Sequence, residues 1–387
     1  MLILLSCILI LLLSPGCSFY GDQNEKLVHY EELNYDTVSF DIKLPTGRAF
    51  YEICKFNGRE FIQLNSINEP NIHYLSIDKE ENLSVNLHNL ETGYQYPDGV
   101  YTTNMDSIYL LYARPDKDVL LIDSSGKILN EWNLSGILGE YEIERGSMNP
   151  FIVKEGNVYF QISNPDAGER SATGVRKYQS SITVAEVNLS NPVKFNTFGT
   201  IPYDAFKVNE SSIFSDMYIS YTFNELTNSF VVSFTSFPYY FNYDDTYLTK
   251  VNEVQSILYP QADKKRDDIK FKDWSKESHL LDHYFSNIGY HRIIHDPYNR
   301  LYYRIVTHPA DSDTVTFDDN HWSLLVIDEE TFELTKEIEF ESKMFNYFEA
   351  ISGENGFYVS ANHPESPFFN PNKITFMVFD TGSLTKY

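Results

Sequence analysis

One pattern recurs six times along the chain: a short apolar strand that ends in Asp or Asn and runs directly into a tight polar turn. The copies are Tyr74-Leu75-Ser76-Ile77-Asp78, Leu120-Leu121-Ile122-Asp123 and Val184-Ala185-Glu186-Val187-Asn188, followed by Leu248-Thr249-Lys250-Val251-Asn252, Leu324-Leu325-Val326-Ile327-Asp328 and Phe376-Met377-Val378-Phe379-Asp380. An Asp or Asn at this place accepts a hydrogen bond from the backbone two residues on, which starts the turn. In Ser124-Ser125-Gly126-Lys127 and Thr381-Gly382-Ser383 a glycine supplies the left-handed conformation. A unit that repeats but cannot bury both of its faces alone must stack on its neighbours.

Each landmark follows another strand-like run: Glu60 to Asn65, Ile108 to Ala113, Val158 to Ser163, Phe230 to Thr235, Leu301 to Thr307 and Phe357 to Ala361. Turns such as Asn57-Gly58, Glu155-Gly156-Asn157 and Asn355-Gly356 precede several of them, as in hairpins. A third run lies further upstream, as in Phe151-Ile152-Val153, Met217 to Tyr221 and His291 to Ile294. A fourth follows the Asp turn, as in Ile128 to Asn133 and Phe332 to Phe340. Four antiparallel strands per unit is the layout of propeller blades. The sixth unit lacks a full fourth strand, whereas Thr37 to Leu44 alternates faces and precedes the first unit without a partner. Placed as the outer strand of the last blade, it closes the ring and removes open sheet edges. The expectation is an all-β, six-bladed β-propeller of four-stranded antiparallel blades over residues 37–387. A seventh blade within 259–289, or a β-sandwich with many insertions, is the alternative.

Composition narrows the function. The 387 residues include 29 Tyr and 28 Phe, which excludes a disordered chain. With 30 basic against 55 acidic residues the formal charge is −25, so phosphate backbones and anionic headgroups repel it and no nucleic-acid partner is expected. Leu2 to Leu13 is an apolar run of signal-peptide length, followed by Leu13-Ser14-Pro15-Gly16-Cys17. A small residue before a Cys at this place is similar to a bacterial lipobox, in which the Cys is acylated and becomes the mature N-terminus. Residues 1–16 then form a lipoprotein signal peptide, Cys17 carries the lipid, and 17–36 is a polar tether. An ordinary secretory signal with an incidental Cys is the other reading. Cleavage leaves Cys54 as the sole free thiol, a small hydrophobe in a strand, with no intramolecular disulfide.

In a propeller the loops from second to third strand share a face with the loops between blades, and that face carries the variable, proline-marked segments here. Two of them are rich in aromatics beside Asn and Asp: Tyr239, Tyr240, Phe241 and Tyr243 in one, Phe368 and Phe369 in the other. Such groups stack on sugars or pack a peptide; they also serve simply to close the propeller top. Arg170, Arg176 and Lys177 form a basic island able to hold a carboxylate. His291 and His295, four apart, share a face in a helix or a regular strand and are candidate metal ligands. Asp311 and Asp313, with Asp318 and Asp319, make an acidic loop that is a candidate calcium site, without the central Gly and final Glu of an EF-hand loop. No Gly-x-Ser-x-Gly elbow, phosphate loop or Cys-x-x-Cys occurs, so no catalytic set and no cofactor are expected.

The lipobox-like start, the six Asp- or Asn-ended strands and the segment Tyr290-His291-Arg292-Ile293-Ile294-His295-Asp296-Pro297-Tyr298-Asn299-Arg300-Leu301-Tyr302-Tyr303-Arg304-Ile305 together resemble Bacteroidota lipoproteins with a TolB-like six-bladed propeller domain of unknown function. The resemblance covers residues 37–387. It implies an outer-membrane lipoprotein of the cell envelope, facing periplasm or cell surface, and assigns no chemistry. The first functional expectation is a lipid-tethered binding or scaffolding module for a glycan, peptide or envelope protein. The second is a propeller enzyme acting on extracellular polysaccharide, metal-assisted through His291, His295 or His308.

Overall fold

A computed structural model describes residues 26–45, 49–66, 68–91, 94–113, 116–144, 149–164, 182–200, 219–235, 237–260, 288–309, 321–380 and 382. The N-terminal part contributes β1 (Leu27–His29) and β2 (Tyr35–Phe40). Blade 1 is β3 (Ala49–Phe56), β4 (Arg59–Ser66), β5 (Glu69–Ser76) and β6 (Leu83–Asn86). Blade 2 is β7 (Gly99–Asn104), β8 (Ser107–Tyr112), β9 (Asp118–Ile122) and β10 (Ile128–Asn133). In blade 3 the innermost strand comes in two pieces, β11 (Glu142–Ile143) and β12 (Ile152–Lys154), which pair with opposite ends of β13 (Asn157–Ser163); β14 (Thr183–Asn188) and β15 (Phe195–Phe198) follow. Blade 4 is β16 (Ile219–Asn224), β17 (Ser229–Phe234), β18 (Tyr239–Asp244) and β19 (Tyr247–Glu253). Blade 5 is β20 (Gly289–Asp296), β21 (Leu301–Thr307), β22 (Trp322–Asp328) and β23 (Leu334–Phe340). Blade 6 is β24 (Asn346–Gly353), β25 (Gly356–Ser360) and β26 (Ile374–Phe379), completed on its outer edge by β2.

The six-bladed expectation holds, including closure of the last blade by the N-terminal strand, which pairs over Tyr35–Phe40 with Ile374–Phe379. Apolar clusters sit at each of the six interfaces between neighbouring blades, so the core is a ring rather than a single centre. Val231 and Tyr240 of blade 4 pack directly on Tyr290, Ile293 and Tyr302 of blade 5, which leaves no place for a seventh blade between them. The turn chemistry is as read. The backbone N–H two residues on donates to Asp78, Asp123, Asn188, Asp328 and Asp380 at 2.9–3.2 Å. Asn57 and Gly58, like Glu155 and Gly156, have positive φ at both central positions, the geometry that suits a two-residue hairpin.

Blade 4 departs from the expected register. Leu248–Asn252 is the outer strand, and the third strand is Tyr239–Asp244, itself an apolar run ending in Asp. Two strand-length apolar runs lie on either side of a two-residue turn, and local sequence does not say which is inside; Tyr247, 75% exposed, belongs to the outer one. Residues expected in the polar tether also pair with the ring. Residues 27–29 add a parallel strand to the edge of β23, and Tyr30 enters the interface of blades 5 and 6, stacked on Phe340 at 5.5 Å. Burying that ring contributes about 2 kcal/mol, enough to hold a short strap in place.

Candidate functional site

Side chains of a propeller's innermost strands normally point sideways into the two interfaces, and an irregularity in the strand can turn a charged group toward the central channel instead. In β20 a bulge does this: two residues, His291 and Arg292, stand opposite one residue of β21. Tyr290 and Ile293 face blade 4 and Ile294 faces blade 6, while Arg292 borders a cleft in which blades 1, 2, 3 and 5 converge. Opposite it, Glu52 comes from β3 and Asn65 from the end of β4. The break in the inner strand of blade 3 brings Asn149 and Phe151 to the same place. Gly99 allows this approach, because a Cβ there would lie 2.6 Å from Phe151 Cβ.

The cleft lies on the face of the loops between second and third strands, at the mouth of the channel. It encloses about 330 Å³ including its open side, of which about 20 Å³ admits the centre of a water. It therefore holds one or two waters or a head group of a few atoms, not a sugar ring. Its polar groups are incompletely matched. Asn65, only 5% exposed, has no partner for its Nδ2, and Asn149 has none for its Oδ1 although its Nδ2 donates to Gln161. Arg292 donates one hydrogen bond, Nη1 to Ala350 O at 3.0 Å. Glu52 interacts with Arg292 only through the field between them, with no direct ion pair. Enclosure by protein pushes the Glu52 carboxyl up to about 7 despite the opposing pull of Arg292. The same enclosure lowers the Arg292 pKa, with Glu52 opposing, and raises Tyr101 to about 12.

The residues singled out from sequence lie elsewhere. Tyr239, Tyr240, Phe241 and Tyr243 are not loop residues but the third strand of blade 4, because Phe237-Pro238 ends the loop sooner than expected. Tyr240 and Phe241 are fully buried, the first between blades 4 and 5 and the second between blades 3 and 4. Phe368 and Phe369 do lie in a loop, between β25 and β26; Phe368 packs against the interface of blades 5 and 6, and Phe369 is half-buried. Arg170, Arg176, Asp311, Asp313 and Cys17 lie outside the described residues.

His291 and His295 are not brought together. The bulge between them reverses the parity of β20, so His291 faces Tyr347 of blade 6 and His295 faces Tyr302 on the side of blade 4. Each has its own partner: Thr307 Oγ1 at 2.8 Å from His291 Nε2, and Glu329 Oε2 at 3.1 Å from His295 Nε2. Burial lowers all three buried blade 5 histidines, His291 to about 3, His308 to about 4 and His295 in the same direction. Among the described residues no group of three His, Cys, Asp or Glu converges as metal ligands.

The sequence carries a faint signal for this site: Glu52 and Arg292 are charged residues in the middle of first strands, each next to apolar residues.

A closed propeller with a narrow polar mouth defines a class of scaffold, not an activity. Within that class the chain belongs to the family described as domain of unknown function DUF4221, whose model matches residues 33–339. A crystal structure of a member of that family from Bacteroides vulgatus is similar at 18% identity and TM-score 0.66, covering 90% of this chain and 97% of that one. A protein of unknown function from Bacteroides caccae has 11% identity and TM-score 0.39, covering 78% of this chain and 83% of that one. A luciferin-regenerating enzyme has 8% identity and TM-score 0.47, covering 90% and 96%. No curated protein matches the chain.

Proposed function

We propose that this protein is a lipid-anchored binding module of the bacterial cell envelope, which holds its ligand at the channel mouth. The observation that carries the binding role is Asn65: a buried amide donor without a partner, in a cleft that it shares with Glu52, Asn149 and Arg292. Leaving such a donor unpaired costs about 1–3 kcal/mol, a cost that a ligand acceptor removes. The anchor rests on the apolar run Leu2 to Leu13 and on Cys17. With residues 27–29 fixed on the edge of blade 5, the segment from Cys17 to Lys26 reaches about 30 Å at most, so the ring stays close to the bilayer. The ligand is a glycan end, a peptide or an envelope protein that presents a compact polar group.

The test uses the full chain in detergent. Fractions of envelope extract, separated by size, are added while melting of wild type and Arg292→Met is followed, since a ligand of the folded state raises the melting temperature. A fraction that stabilises wild type but not the variant is the expected result; no stabilising fraction removes the reading. Cys17→Ala is expected to release the protein from the membrane pellet, and its retention there removes the anchor.

A further inference from the structure

The cleft is lined by one cation, Arg292, two carboxyls, Glu52 and Asp98, one unpaired amide donor and one unpaired amide acceptor; Glu52 and Asn65 come from blade 1, Asn149 from blade 3 and Arg292 from blade 5. Arg292 and Asn65 offer N–H groups; Glu52 and Asn149 offer oxygens. Arg292 and Glu52 do not pair directly, so each retains its capacity for a ligand. A simple anion would satisfy Arg292 and Asn65 but meet Glu52 and the nearby Asp98. A simple cation would satisfy Glu52 and Asn149 but meet Arg292. A molecule with an ammonium and a carboxylate on the same carbon satisfies all four, and its head is small enough for the narrow part of the cleft.

We propose that the mouth binds the head of a small zwitterion of the α-amino-acid type. Its carboxylate is taken by Arg292 and Asn65, its ammonium by Glu52 and Asn149, and its side chain stays in the open mouth. The guanidinium is suited to the first task because it is planar and keeps its charge at any physiological pH. This deepens the binding role proposed above and rests on it.

The pairing has a pH signature. The ammonium requires ionised Glu52, whose carboxyl is held at about 7 by enclosure. The groups that face it are Arg292 across the channel, Tyr101 from blade 2, Tyr221 from blade 4 and Cys54 on its own strand, with Asp98 in the cleft wall. The phenols of Tyr101 and Tyr221 and the Cys54 thiol are all raised, so none of these three ionises below pH 8. Binding therefore strengthens as pH rises from 6 to 8.

Calorimetric titration of the full chain with glycine and L-alanine tests this, against acetate, methylammonium and N-acetylglycine, which each supply one charge. The zwitterions are expected to bind at least about tenfold tighter than the single charges, and tighter at pH 8 than at pH 6. Glu52→Gln and Arg292→Met should each weaken binding about tenfold, and Glu52→Gln should also abolish the pH dependence while melting cooperatively. Equal binding of acetate or N-acetylglycine, or tighter binding at pH 6, overturns the proposal. So does absence of glycine binding. If glycine fails while an envelope fraction still stabilises wild type and not Arg292→Met, the zwitterion is wrong and the binding role stands.

Discussion

Blade 5 and the channel mouth treat buried charge in opposite ways. In blade 5 it is engaged by the protein. Arg304, fully buried, donates to Phe234 O at 2.8 Å and to Tyr239 O at 3.3 Å, and lies 4.7 and 4.9 Å from the rings of Tyr240 and Tyr290. Glu337, also fully buried, accepts from Ser256 Oγ at 2.7 Å, Ser323 Oγ at 2.6 Å and Ile257 N at 2.5 Å, tying the exit of blade 4 to the edge of blade 5. Asp296 accepts from Tyr303 Oη at 2.9 Å and from the backbone of Tyr298 and Asn299. At the mouth, among the described residues, the half-buried Glu52 makes no hydrogen bond or ion pair, and the Nδ2 of the buried Asn65 has no partner. A charge held by several partners fixes neighbouring blades in register; one without any is a cost to folding and is available to something else.

The largest expected effect breaks the engaged region. Glu337→Ala leaves two hydroxyls and an N–H without their acceptor and should destabilise the protein by about 3–5 kcal/mol in chemical denaturation. A loss below about 1 kcal/mol would show that the segment after blade 4 is not held by this carboxylate.

Acid separates the two regions next, because their signs are opposite. His291 and His308 are neutral in the fold with lowered pKa values, so the unfolded chain binds more protons below pH 6.5 and stability falls as pH drops. Together they should cost about 2 kcal/mol between pH 6.5 and 5.5. The double variant His291→Gln, His308→Gln should flatten that limb; an unchanged slope would assign it to other groups.

The smallest effect is at the mouth. Glu52 has a raised pKa, so the folded chain binds more protons than the unfolded one between the ordinary carboxylate range and about 7, and its contribution to stability falls as pH rises. Glu52→Gln should therefore stabilise the protein at pH 8 by about 1–2 kcal/mol, a figure reduced for the channel water that still reaches the group, and should be neutral at pH 5. Destabilisation at pH 8 would mean that Glu52 is engaged by the fold after all.

Much of the ring was legible because its signals are local. An apolar strand ending in Asp followed by a turn identifies itself from about six residues, and five of the six landmark turns carry the expected hydrogen bond. Blade 4 was misregistered because Tyr239–Asp244 and Tyr247–Glu253 are both credible third strands until burial chooses between them. With the register of blade 4 set by burial, Tyr240 and Phe241 belong to a buried strand rather than an aromatic loop. The site itself was barely legible, since its four polar side chains come from three blades and no spacing in the chain relates them.

The sequence by itself determined the repeating unit, the number of blades and the closure by an N-terminal strand, because alternation and turn residues act within a few positions. Only the tertiary structure decided that His291 and His295 part to opposite faces while Arg292 reaches the channel. A one-residue bulge sets that parity, and it exists only when β21 is laid against β20.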